Sequence, residues 1–319
     1  MRKTLALIAK AAISAVLLYF ALRAVDIGAV KGRLSQIDLR WVGLGLLVLG
    51  AQVFVLALRW QRLIQRCGAD LPFAQAFRFS MIAGFFNQTL PSSVGGDAVR
   101  VWLVGKQSSW RVAAYSVLLD RVVGTVALAM MVVACLPWTF ELVRNPIGRL
   151  ALLVIGPGCI GAGLVFILFG WQRLQILQRW TLTRHLAAAA AIGLAILNSL
   201  RALTTIFGLS FVIHFFTALA AWCAARSVGA NLPLLYSLFL VLPVILITVV
   251  PISIAGWGVR EGAMVAAFGY AGLSQSDGLI VSLLFGAGYL AIGIVGGLVW
   301  ILTVARTERK SIPAAALDS

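Results

Sequence analysis

Two stretches concentrate the polar chemistry of an otherwise apolar chain. Residues 90–100 read LPSSVGGDAVR and residues 250–260 read VPISIAGWGVR. In each, proline and glycine end one half-helix, and small residues leave room for a ligand or for an opposing backbone. The next half-helix is expected to start near Asp97 or Gly258, with its unsatisfied N–H groups at the positive end of the dipole. Arg100 and Arg260 fall in that first turn. Backbone N–H groups of Gly95, Gly96, Gly256 and Gly258, the hydroxyls of Ser92, Ser93 and Ser253, and an arginine fork together make a phosphate-shaped environment. Asp97 and Glu261 stand beside the two arginines. They would position them, or carry a proton in a low-dielectric cavity. Asp120 and Arg121 form a further acid–base pair, expected in the cavity wall. Asn87 and Gln88 close the preceding half-helix and would contact a ligand or cap that helix. A purely structural alternative keeps all these charges as ion pairs that hold the broken segments in register.

The two stretches are related. They share Pro91/Pro251, Ser93/Ser253, Gly96/Gly256, Val99/Val259 and Arg100/Arg260 at an offset of 160, and GADLP at 68–72 matches GANLP at 229–233 at an offset of 161. Two matches at nearly one offset point to an internal repeat, repeat A over about 41–137 and repeat B over about 203–303.

The surrounding sequence must place these motifs in a membrane. The 319 residues are 61% hydrophobic and 11% charged, whereas a soluble domain carries about 25% charged residues. Apolar runs near 5–22, 41–58, 111–137, 149–170, 203–226 and 277–303 approach or exceed the roughly 20 residues that cross a bilayer. The fold class is therefore an all-α polytopic membrane protein with about six full crossings, in one domain over 1–305 followed by a short tail at 306–319. The basic-then-apolar start is expected to remain as a first helix, since Lys10 interrupts the run and no small-residue cleavage site follows. The alanine-rich segment 185–200 reads as an interfacial helix or as the cytoplasmic end of the next span.

If the broken segments are re-entrant hairpins and the N-terminus is inside, three basic clusters all fall on the cytoplasmic side. These are Arg59, Arg62 and Arg66; Arg173 to Arg184; and Arg306 to Lys310. Two kinked spanning helices remain the alternative, but full crossings move the Arg173–Arg184 linker outside. With hairpins the repeat is inverted, the arrangement of alternating-access transporters with a midplane site. Arg100 and Arg260 would then surround one central cavity.

The motifs LRW at 58–60, FN at 86–87, LPSSVGGDAVR at 90–100, DRVVG at 120–124 and PISIAGWGVREG at 251–262 resemble the lysylphosphatidylglycerol synthase transmembrane-region family, over about 5–305. The resemblance implies a flippase-like membrane domain. In fused members such a domain translocates aminoacylated phospholipid that a separate C-terminal domain makes. This sequence ends soon after the last apolar run, so lysyl transfer from tRNA is not expected of it.

Other chemistry finds little support. The net charge of +16 is spread over loops that flank apolar runs, which fits anionic headgroups rather than nucleic acid. Cys67, Cys135, Cys159 and Cys223 show no CxxC spacing and read as packing residues. His185 and His214 are too far apart to suggest a metal, and no cofactor is expected. Walker, GxSxG and HExxH motifs are missing from the sequence, and an enzyme is not expected. The sequence reading is a translocase for an anionic, phosphate-bearing lipid in the bacterial cytoplasmic membrane, with both termini inside. Its alternative is a non-transporting partner or regulator of an envelope glycosyltransferase or lipid-modifying enzyme.

Overall fold

The computed structural model describes residues 12, 14, 16–25, 27–90, 94–170, 181–250 and 256–311. Its described residues form helices: α1 (Ile27–Leu34), α2 (Leu39–Arg66), α3 (Phe73–Thr89), α4 (Gly95–Gly105), α5 (Trp110–Leu142), α6 (Pro146–Leu168), α7 (Thr181–Leu197), α8 (Leu200–Ser227), α9 (Leu234–Thr248), α10 (Val259–Tyr270) and α11 (Gln275–Ser311). Five of them, α2, α5, α6, α8 and α11, are long and apolar enough to cross a bilayer. The protein is a polytopic all-α membrane protein. Half of the run expected at 5–22 lies outside the described residues, as does the whole of the basic linker over 171–180. The alanine-rich segment is a separate helix, α7, whose Ala187, Ala189, Ala190 and Gly193 are buried.

Local chemistry sets the helix ends. Asp38 caps α2 by accepting from Arg40 N, Ser109 caps α5 through Arg111 N, and Asn145 caps α6 through Ile147 N and Gly148 N, with Pro146 at the first helical position. The turns after α2 and α8 are copies of one another. Gly68 and Gly229 take φ of +95° and +66°, a left-handed conformation open to glycine at little cost. Ala69 N donates to Ile64 O at 3.2 Å and Ala230 N to Ala225 O at 3.0 Å. Gln61 Nε2 reaches Leu71 O at 3.0 Å, and Trp222 Nε1 reaches Leu232 O at 2.9 Å. Every residue in the second turn lies 161 positions beyond its counterpart, as do the first residues of α8 and α9 beyond those of α2 and α3.

Equivalent helices α2 and α8 pack together and run antiparallel. Gly45 meets Cys223, Gln52 meets Thr217 and Arg59 meets Ser210, so numbers rise along one helix as they fall along the other. Near the middle, Gln52 Nε2 donates to Ile213 O at 3.2 Å and to Thr217 Oγ1 at 2.7 Å, while Tyr289 Oη donates to Gln52 Oε1 at 2.9 Å. Gln52 thus bonds to the residue 161 positions ahead of it.

The broken segments are helical hairpins. In the first, Gly96 lies against Ala83 and Asn87 near the tip, while Val104 shares a buried cluster with Leu71, Ala76 and Phe79 at the base. The second limb therefore ends beside the start of the first. In the second hairpin, Leu240, Val244, Met264 and Phe268 belong to one apolar cluster. Each first limb seals against a long helix of the other repeat, α3 against α11 and α9 against α5. The α3–α11 contact is backbone to backbone, because a Cβ on Gly296 would stand 2.0 Å from Met81 O. Close approach through small residues is how helices pack without a hydrophobic drive between them.

Gly296→Ala is therefore expected to lower the thermal midpoint in detergent well beyond Gly229→Ala. The latter meets open space and bears only backbone strain, about 1 kcal/mol. Equal midpoints would contradict the close α3–α11 contact.

Candidate functional site

A cavity of about 340 Å³ lies between α2, α3, α4, α5, α8, α9 and α11. Its polar wall is an ion-pair network centred on Asp120. Asp120 Oδ1 accepts from Arg59 Nε at 2.9 Å, and Asp120 Oδ2 accepts from Arg100 Nη1 at 3.0 Å. Arg59 Nη1 also donates to Ser210 Oγ at 3.1 Å. Asp97 accepts from both Arg100 and Arg121. Trp60, fully buried, places its ring under the Arg100 guanidinium with the centroid at 5.0 Å. His214 Nε2 donates to Gly124 O at 2.9 Å.

Insertion of an arginine at a helix centre costs roughly 2.5–3.5 kcal/mol without partners. The network removes most of that cost for Arg59 and Arg100, which are 5% and 6% exposed. Arg121 differs: its side chain is 44% exposed and lines the cavity. Three arginines face two carboxylates in the lining, which leaves one positive charge in excess. Ser80 lines the same space, is buried, and its Oγ has no hydrogen-bond partner among the described residues. An excess cation and an orphan hydroxyl in one cavity suit an anion that accepts hydrogen bonds.

Several expectations from the sequence change here. Arg59 is no loop residue, because α2 continues to Arg66 and carries it into the interior. Asp120 and Arg121 do not pair with each other, since Asp120 holds Arg59 and Arg100 while Arg121 turns to Asp97. Neighbours in a helix point about 100° apart, which sends their side chains to different partners. The N–H groups expected for a ligand are partly taken: Gly96 N donates to Asn87 Oδ1 at 2.9 Å, and Gly258 N to Glu261 Oε2 at 2.7 Å. Asn87 is thus a cap, though it also lines the cavity with Gln88. Gly95 and Gly96 fit the hairpin limbs together, as a Cβ on either would stand under 3 Å from the opposite limb or its connecting turn. Gly256, at φ +80°, shapes the second turn, and its carbonyl accepts from Arg260 N.

Arg260 does not line the central cavity. Its Nη2 donates to Glu261 Oε1 at 2.7 Å and its Nε to Ser282 Oγ at 3.1 Å, under the ring of Trp257. Glu261 is fully buried and also accepts from Ser282 Oγ at 3.0 Å. This second cluster is closed on itself, and Gly286 lets the guanidinium pass, since a Cβ there would stand 2.2 Å from Arg260 Nη2. Ser92, Ser93 and Ser253 lie outside the described residues.

The sequence reading missed Gln52, Ser80, Ser210, His214 and Tyr289 as parts of the site. Each is an isolated polar residue on an apolar helix, and that isolation was the available signal.

This arrangement accompanies a family match. A family model for the lysylphosphatidylglycerol synthase TM region matches residues 7–297. The chain belongs to that family. The match spans both hairpins and reaches well into α11, so the Asp120 network and the cavity lie within this lysylphosphatidylglycerol synthase TM region. No curated protein matches the chain.

Removing one partner of a buried ion pair costs about 3–5 kcal/mol. Asp120→Ala should therefore lose folded protein in detergent by size-exclusion and thermal unfolding, while Arg121→Gln, half exposed, should change stability by about 1 kcal/mol or less. A well-folded Asp120→Ala protein would show that the network is dispensable for the fold.

Proposed function

We propose that the protein is a lipid translocase that moves an anionic, phosphate-bearing lipid between the leaflets of the bacterial cytoplasmic membrane, with the cavity opening to each side in turn. The observation that carries this reading is the net-positive cavity, with Arg121 accessible and Ser80 unsatisfied, lying beside the seam of two antiparallel repeats. Arg121 is the phosphate-binding group, with Ser80 and Gln88 as further contacts, and Arg59, Arg100, Asp97 and Asp120 hold it in place. A space of about 340 Å³ is at the small end for ligand sites, roughly 300–1,000 Å³. It suits a headgroup, so the acyl chains of the lipid would stay in the bilayer while the headgroup crosses. Family membership supports a flippase-like membrane domain and leaves the lipid open.

In this reading the hairpins are re-entrant, the first from the cytoplasm and the second from the opposite face, because α4, α9 and α10 are too short to cross a bilayer. Ser108→Cys and Ser274→Cys, in the loops that follow the two hairpins, should then label with a membrane-impermeant maleimide from opposite faces of the cell membrane. Cys67 adds little background, since burial pushes its thiol up to about 12 and keeps it protonated. Labelling of both positions from the cytoplasm would overturn the inverted arrangement.

Flux is tested in proteoliposomes with headgroup-labelled phosphatidylglycerol and phosphatidylcholine. The wild type should move the anionic lipid faster, and Arg121→Gln, which stays folded, should slow it by about tenfold, near 1.4 kcal/mol of binding. No flux from folded wild type for any anionic phospholipid would favour a non-transporting membrane partner instead.

A further inference from the structure

Beyond the central cavity, the far end of the α2–α8 seam holds a second space with the opposite balance of groups. Arg62, Gln65 and Arg66 of α2, with Arg201 and Thr205 of α8, line a cup of about 260 Å³. Three guanidinium groups share it without a carboxylate in the lining, and none of the three is in an ion pair among the described residues. Like charges this close raise one another's cost, so the cup favours an anion. Arg59, Arg62 and Arg66 follow helical spacing along one face of α2, which sets the cup one to two turns from the Asp120 network.

An apolar groove of about 550 Å³ runs along the same stretch of α8, lined by Val126, Leu164, Leu203, Phe207 and Phe211 among others. Thr204 lines the groove and Thr205 the cup, so the two spaces lie on neighbouring faces of the same turn of α8. From Leu203 to Phe211 the groove follows α8 for about 12 Å at 1.5 Å per residue. That length takes much of an acyl chain but no peptide helix.

We infer that cup and groove form one bipartite site for an anionic phospholipid, with the headgroup phosphate held by Arg62, Arg66 and Arg201 and one acyl chain along α8. The site is distinct from the central cavity, whose groove-side wall, α5, separates the two. It belongs to one end of the molecule: the cup positions map at offset 161 onto Cys223, Arg226, Ser227, Arg40 and Leu44, so two arginines stand where the cup has three.

The test is native mass spectrometry of detergent-purified protein titrated with dioleoylphosphatidylglycerol and with dioleoylphosphatidylcholine, so its readout is retained lipid rather than flux and stands apart from the transport reading. The wild type should retain the anionic lipid preferentially. Arg62→Gln/Arg66→Gln/Arg201→Gln should weaken that retention by at least about tenfold, and the triple lysine variant should restore part of it. Arg121→Gln should lose at most a lipid of the central cavity and keep the one that the triple glutamine variant loses. Gly208→Leu fills the groove where a Cβ meets open space, and it should weaken retention while leaving the thermal midpoint unchanged. Equal retention by the wild type and the triple glutamine variant would overturn the site. Retention that survives Gly208→Leu and is displaced by inorganic phosphate would overturn the lipid assignment and leave an anion site alone. Should the triple variant fail to fold, the Gly208→Leu and phosphate arms decide.

Discussion

The Asp120 carboxylate is the contact on which the rest of this structure depends. It sits on α5 and is shared by Arg59 of α2 and Arg100 of α4, while Arg59 extends the link to Ser210 of α8. One side chain thus ties both sides of the seam to the first hairpin. In a medium with little water to compensate, each of these charges is tolerable only while the others are in place. Helix order, hairpin position and cavity wall are therefore set together.

The two hairpins began from one sequence pattern and now serve different ends. In the second, Glu261 turns back onto its neighbouring arginine and onto Gly258 N, and the cluster closes. In the first, Asp97 lies three residues before Arg100 and reaches across to Arg121 as well. Moving the acid from one side of the arginine to the other leaves a cation at the cavity surface. A change in spacing, rather than in composition, separates the sealed site from the open one.

Much of the fold was legible in the sequence because apolar length and basic flanks are strong signals in a membrane protein. The repeat was legible from Gly68–Pro72 and Gly229–Pro233, where a left-handed glycine and a helix-starting proline leave little freedom. The Pro/Gly breaks marked the hairpins for the same reason. The partners of Asp120 were not legible, since Arg59 and Arg100 lie 61 and 20 positions away and meet it only through packing. Nor could the pattern reveal that Arg260 is buried away from the cavity, because a carboxylate stands near each arginine and its position alone does not say where the pair packs. Ser80 and Gln52 were hidden by being single polar residues among many apolar ones.

The contact between Gly296 and the backbone of Met81 bears on what can move. It fastens the first limb of hairpin one to the last helix of the other repeat, while α9 packs on α5 through side chains, Leu242 and Leu246 against Leu128 and Val132. The halves defined by sequence are thus interlocked like two clasped hands, and swinging one rigid half against the other would tear two interfaces at once. Pairing each hairpin with the long helix of the other repeat frees nothing either, since Arg100 of the first hairpin is held to Asp120 of α5 and α10 packs against α11.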